Sequence, residues 1–134
     1  MEQQLPADFD WVAARNNCSL SVVFKQLEIE AEKNVNQRNA LGNKKLEKDR
    51  FQFIPKENYF VIMRGGSSSR SVAFSLKLDH IYVEPSSSGG QSIRATLTLN
   101  NLAECKLKVN NQELERWQLL RMALEDLFAF EDIE

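Results

Sequence analysis

The only histidine in the chain, His80, stands beside Asp79 in the stretch SVAFSLKLDHIYVEP. An imidazole titrates near neutrality, so it can serve as a general acid or base. Serine or cysteine chemistry built on it would also need an orienting group and an oxyanion site. The spacing of the sequence suggests neither. Adjacent residues on a strand point to opposite faces, so Asp79 is not expected to orient His80. The two cysteines, Cys18 and Cys105, read as small buried apolar side chains rather than nucleophiles or ligands. One histidine and two distant cysteines make no ligand cluster. The sequence therefore assigns no catalytic residue, no metal and no cofactor, and it leans away from an enzyme.

Two further groups of residues have the chemistry to hold an anion. The run FVIMRGGSSSRSVAF places two glycines and three serines between Arg64 and Arg70. A phosphate cradle needs converging backbone N–H groups, and it usually leads into a helix start with a lysine. Here strand-like alternation flanks the run on both sides. A similar run, SSSGGQS, recurs at 86–92, again between strands. Both read as hairpin connections, with glycine supplying the positive φ. Arg64 and Arg70 could still meet an acidic partner there. The second group is Arg94, Thr96, Thr98, Lys106 and Lys108, on the outward side of two strands, with Lys77 near them. RNA-binding sheets carry stacking aromatics, which this set lacks, so a solvated face is the simpler reading. A net charge of -2 and a pI near 5.5 also exclude a dedicated nucleic-acid binder.

The 134 residues, 43% of them hydrophobic, suit one domain that folds without disulfide or metal staples. Residues 1–7 and 131–134 are expected to fray. The opening MEQQLPADFDWVAA has neither the basic region nor the apolar run of a signal peptide. No apolar run reaches membrane-spanning length. With two unpaired thiols, these features predict a cytoplasmic protein.

The elements follow from periodicity. Asp8 or Asp10 can cap a short helix through DWVAARNN, which Asn16 and Asn17 interrupt. Ser19 or Ser21 can cap the next helix, in which Leu20, Val23, Phe24, Leu27, Ala31 and Val35 form one stripe. One continuous helix from Asp10 to Leu41 also fits. Gly42 and Asn43 are a natural stop, and NKKLEKDR is a charged connector. The period then becomes alternating. Phe51 and Phe53 precede PKEN, a turn in which Pro55 argues against a strand interior. Pairing Ile54 with Tyr59 across it sets Phe53 beside Phe60 and Phe51 beside Ile62. Next come strands with Val72, Phe74, Leu76 and Leu78 inward, then Ile81 and Val83, after a phase break at Asp79–His80. Ile93, Ala95, Leu97 and Leu99 face Cys105, Leu107 and Val109. That register pairs Leu99 with Cys105, Thr98 with Lys106 and Thr96 with Lys108. Asn110–Asn111 end the last strand, and a helix runs from Gln112 to about Phe130. The fold class is α+β: a long N-terminal helix, an antiparallel meander of about six strands, and a C-terminal helix packed on the sheet.

This arrangement carries more apolar surface than one sheet face and two helices need. Ile54, Tyr59, Val61 and Met63 make the second strand apolar on both faces. In the last helix, Trp117, Leu120, Leu124, Leu127 and Phe128 form a stripe, which Leu119, Met122, Ala123 and Phe130 widen past half the girth. The expected function is a non-enzymatic protein-binding module of adaptor, chaperone or inhibitor type, and a homodimer. Its interface is Tyr59, Val61, Met63, Arg116, Leu119, Met122 and Phe130, a composition common at interfaces. The alternative is a small-ligand or enzymatic domain. Its apolar pocket would be lined by Phe51, Phe53, Phe60, Phe74 and Trp117, with His80 or Tyr82 at the rim. No nucleic-acid or membrane partner is expected.

Overall fold

The computed structural model describes residues 8–41, 50–65, 67–86 and 91–129. The Gly42–Asn43 stop, most of the charged connector and both ends expected to fray lie outside them. In chain order the elements are α1 (Trp11–Asn17), α2 (Leu20–Leu41), β1 (Phe51–Lys56), β2 (Tyr59–Arg64), β3 (Ser67–Leu76), β4 (Ile81–Pro85), β5 (Ile93–Leu99), β6 (Cys105–Val109), β7 (Gln112–Leu114) and α3 (Arg116–Phe128). The strands form one antiparallel sheet in sequence order. The class is α+β, as the sequence pattern implies.

Two helices, not one, open the chain. The Asp10 carboxylate accepts from the Ala13 N–H at 3.0 Å and starts α1. The Ser19 hydroxyl accepts from the Val22 N–H at 3.3 Å and starts α2. Each cap satisfies an N–H with no partner inside its helix. Val23, Phe24, Leu27, Ala31 and Val35 of α2 are buried, the stripe expected from their spacing.

The β1–β2 register differs from expectation by two residues. Lys56 pairs with Tyr59 and Ile54 with Val61, so the turn is Glu57–Asn58, with Asn58 at φ 57°. Pro55 belongs to the strand, contrary to expectation. It is tolerated because β1 is a sheet edge and the missing N–H faces outward. A shift of two keeps every side chain on its expected face. The β5–β6 register is the one predicted, from Thr96↔Lys108 to Leu99↔Cys105.

Two boundaries move for reasons of turn geometry. Lys77–His80 connect β3 to β4, and the Lys77 N–H donates to the His80 carbonyl at 2.9 Å. Leu78 lies in that turn and is 99% exposed, not inward. Asn110 and Asn111 both have positive φ, 52° and 66°, which makes the tight turn favoured in hairpins. It sends Gln112–Leu114 back along β6 as a seventh strand, so α3 begins at Arg116 rather than Gln112. The Gln118 side chain accepts from the Glu115 N–H at 2.7 Å and fixes that start.

Both long helices cover one face of the sheet. α2 packs on β1 and β3, α3 on β3 and β6, and the two helices touch each other. Beneath them Phe60, Ile62, Phe74, Ile81, Val83, Ala95 and Leu107 are fully or almost fully buried. Each of these side chains larger than alanine stabilises the fold by about 1.5–3 kcal/mol.

Cys18 and Cys105 form a disulfide across 87 positions of sequence. Reading them as two separate buried thiols is therefore incorrect. Spacing so long gave no local sign of the pairing. Closing a loop of that length limits the unfolded chain by up to about 4–5 kcal/mol. The cytoplasmic expectation rested partly on free thiols and loses that footing. Among the described residues no helix is long and apolar enough to cross a membrane.

Candidate functional site

Alternation along each strand decides what faces away from the helices. Phe60, Ile62, Val72 and Phe74 point into the core, so Tyr59, Val61, Met63 and Ala73 point the other way. Register then sets Ile54, Val61 and Ala73 in one row across β1, β2 and β3. A second row runs Tyr59, Ser75, Tyr82, Arg94. Tyr59 is 38% exposed and Ile54, Val61, Met63, Ala73 and Tyr82 are half-buried. The packed helices lie on the opposite face. Over β1–β3 this outer face sets Ile54, Tyr59, Val61, Met63 and Ala73 among Gln52, Lys56, Ser71 and Ser75, and beyond β3 it is polar.

The polar end carries the predicted basic set, but its charges are answered within the chain. Arg94 Nη2 lies 3.2 Å from Asp79 Oδ2. Lys106 donates to the Glu115 carboxylate, which raises the affinity of the amine for its proton, with Glu104 and Glu113 adding to the effect. Lys108 stands opposite Glu113 in the β6–β7 register. A solvated polar face accounts for this half.

The sheet edges are closed by different means. The Gly65 N–H donates to the Arg50 carbonyl at 2.8 Å, so Arg50 and every second residue after it bond inward to β2. Phe51, Phe53 and Pro55 therefore turn their backbones outward. Asn39 of α2 takes both groups of Phe51: its Oδ1 accepts from the N–H at 2.8 Å, and its Nδ2 donates to the carbonyl at 3.0 Å. Pro55 has no N–H to offer. Phe53 and the Pro55 carbonyl remain open among the described residues of this edge, too little for a strand to add. At the far edge β7 is three residues long.

The two halves of the expected interface do not meet. Tyr59, Val61 and Met63 lie on the outer sheet face. Met122 is 51% exposed on the helix layer, on the other side of the sheet. Leu119 is fully buried and belongs to the core, so its place in the interface is corrected. The core-facing stripe of α3 is Leu119, Leu120, Leu124 and Leu127, rotated from the expected one, and Trp117 is 59% exposed. Arg116 is held at 2.9 Å by Glu30 of α2. Phe130 lies outside the described residues.

The phenylalanines expected to line a pocket are packed together. The rings of Phe60 and Phe74 stack at 4.6 Å, with Phe24 at 5.3 Å and Phe53 at 5.5 Å from Phe60. Trp117, His80 and Tyr82 stand apart from that cluster. A groove of about 490 Å³ runs instead between α2 and α3, lined by Trp117, Leu120, Leu124 and Phe128, with Arg38 and Arg121 at its polar side.

His80 and Asp79 do meet, contrary to the alternation argument, because they belong to a turn and not a strand. His80 Nδ1 lies 2.7 Å from Asp79 Oδ1. That hydrogen bond holds the Asp79 carboxyl below its usual value, and the Arg94 charge adds to the effect. An ionised Asp79 accepts from Nδ1–H. The His80 ring also meets Tyr82 edge-on at 6.3 Å. The pair sits at a hairpin tip with Asp79 exposed. Both cysteines are committed to the disulfide and supply no nucleophile. Among the described residues no group of His, Cys, Asp and Glu is arranged to hold a metal ion.

Sequence reasoning missed two buried cations. Arg64 donates from Nη1 to the carbonyls of Leu127 at 3.2 Å and Ala129 at 3.0 Å. Arg38 donates from Nε to the Phe128 carbonyl at 2.7 Å. Both guanidinium groups lie on the Phe51 ring, at 5.4 and 5.0 Å from its centre. Together they clamp the negative end of the α3 dipole. The inward phase of Arg64, two residues after Ile62, was the available signal. Gly65 has φ 65° and Arg64 pairs with Ser67, so the glycine run turns a hairpin. Gly66 itself lies outside the described residues.

No family model, curated protein or solved structure matches this chain.

Proposed function

We propose that this protein is a non-enzymatic protein-binding module that pairs with a second copy of itself through the outer face of its sheet. The observation that carries this reading is the row Ile54–Val61–Ala73, with Tyr59, Met63 and Tyr82 around it, which no described element covers. An apolar sheet face normally acquires a cover. A twofold contact would cover each copy with the same patch. The closed edges favour face-to-face packing over strand addition. The filled phenylalanine cluster speaks against the internal-pocket alternative. Basic side chains already paired with acids give little reason to expect nucleic acid. The disulfide supports an oxidising setting in place of the reducing cytoplasm.

Light scattering on the purified protein tests the reading. The wild type is expected to be a dimer at micromolar concentration. Met63→Asp would bury an unpaired charge in the contact and should yield a folded monomer. Met122→Asp, on the other layer, should leave the dimer intact. A monomeric wild type, or a dimer indifferent to Met63→Asp, would sink the proposal.

A further inference from the structure

The Cys18–Cys105 bond ties α1 to the strand it packs against. α1 is seven residues long and has no buried residue. Trp11, at its start, is 65% exposed. Its caps are local: Asp10 at one end, and the Cys18 N–H donating to the Arg15 carbonyl at 3.1 Å at the other. A helix this short does not persist in water on propensity alone. It needs an anchor, and the disulfide sits at its C-terminal cap. α2 begins two residues later with an anchor of its own, since Val23, Phe24 and Leu27 are in the core. Breaking the bond would thus free α1 and spare α2.

The same bond borders a cavity. About 180 Å³ lies between the end of α1, α2 and strands β5–β7, lined by Asn17, Val23, Leu97, Cys105, Leu107 and Leu114 among others. Cys105 is exposed and Cys18 half-exposed, so a reductant can approach.

We propose that Cys18–Cys105 is a redox clasp: its reduction by a dithiol releases α1 from β6 and opens the cavity in which Leu97, Leu107 and Leu114 lie beside Gln26, Glu115 and Arg116, while the helix-covered sheet stays folded. The chemistry is thiol–disulfide exchange. One thiolate of the dithiol attacks a sulfur of the bond, forming a mixed disulfide and expelling one cysteine as thiolate. The second thiol of the reductant attacks the mixed disulfide and expels the other cysteine. Two electrons pass to the protein, the dithiol closes to its own disulfide, and Cys18 and Cys105 end as thiols.

Amide hydrogen exchange on the full chain, oxidised and after dithiothreitol, tests the clasp. In the oxidised protein, residues 11–17 should exchange at least about tenfold slower than an unfolded chain. After reduction they should exchange at the unfolded rate, while residues 23–35 and 60–74 remain protected. The double variant Cys18→Ser, Cys105→Ser should reproduce the reduced pattern without reductant. Three results would each overturn the proposal: α1 protected equally in both states, α1 unprotected in both, or the core losing its protection together with α1.

Discussion

Replacing Arg64 with methionine isolates the clamp on α3. Methionine keeps much of the length of the side chain and removes the charge. The change deletes two charge-assisted hydrogen bonds, to Leu127 and Ala129, and a guanidinium contact with Phe51. Hydrogen bonds to a charged group contribute about 1.5–3 kcal/mol each, and a cation over a ring about 0.5–2 kcal/mol. Two effects reduce that sum. The variant no longer desolvates a buried charge, and Ala129, being exposed, can pass its carbonyl to water. A net loss of about 2–4 kcal/mol is expected, with the Leu127 carbonyl as the part that finds no substitute. For a chain of this size that is roughly 7–14 °C in the midpoint of thermal unfolding. Urea unfolding followed by far-ultraviolet dichroism measures it. Arg64→Lys should recover part of the loss through one ammonium donor, but not the forked geometry. A stability for Arg64→Met within about 0.5 kcal/mol of wild type would refute the clamp. The buried leucines of α3 would then hold its end unaided.

Two other perturbations read the turn and the edge. Asp79 has its folded pKa lowered from 3.8 by His80 and Arg94. Its contribution is therefore complete above that ordinary value and lost as pH falls through the lowered one. The stability difference between wild type and Asp79→Asn should shrink on acidification below pH ~4; a difference that grows there would contradict the pairing. Asn39→Ala strips the partners from both outward groups of Phe51. It should cost about 1–3 kcal/mol and raise light scattering near the unfolding midpoint, because an edge once blocked becomes a template. An unchanged midpoint and no added scattering would show that Pro55 alone guards the β1 edge.

Most of the fold was legible because periodicity reports which way side chains point. The stripe of α2 and the β5–β6 register depend only on local alternation and on short turns, and both stand as read. The errors arose where backbone conformation outranked composition. PKEN has the composition of a loop, yet Asn58 at positive φ makes the turn in two residues and returns Pro55 to an edge strand. Gln112–Leu114 has helical company, yet the paired left-handed asparagines fold it onto β6. Arg38, Arg64 and the disulfide were illegible for another reason. Their partners lie 63 to 90 positions away in sequence, and no window along the chain spans that distance.

The candidate surface was half legible for the same reason. That β2 is apolar on both sides follows from its own six residues, and the outer face does carry Tyr59, Val61 and Met63. Joining that face to α3 required knowing which layer the helix occupies. A single sheet has two faces, and both long helices chose one, since the core stripe of α3 meets α2 over the same strands. Once they share a layer, Met122 and Met63 cannot belong to one patch, whatever their composition. The excess apolar surface thus divides into two unequal parts. Around Trp117 it lies in a groove with Arg38, Arg121 and Glu125 on its walls. Over β1–β3 it is broad and carries few charges. The broad part is the face on which the proposed contact with a second copy rests. For that reason Met63, and not Met122, is the position at which a single charge should decide the state of assembly.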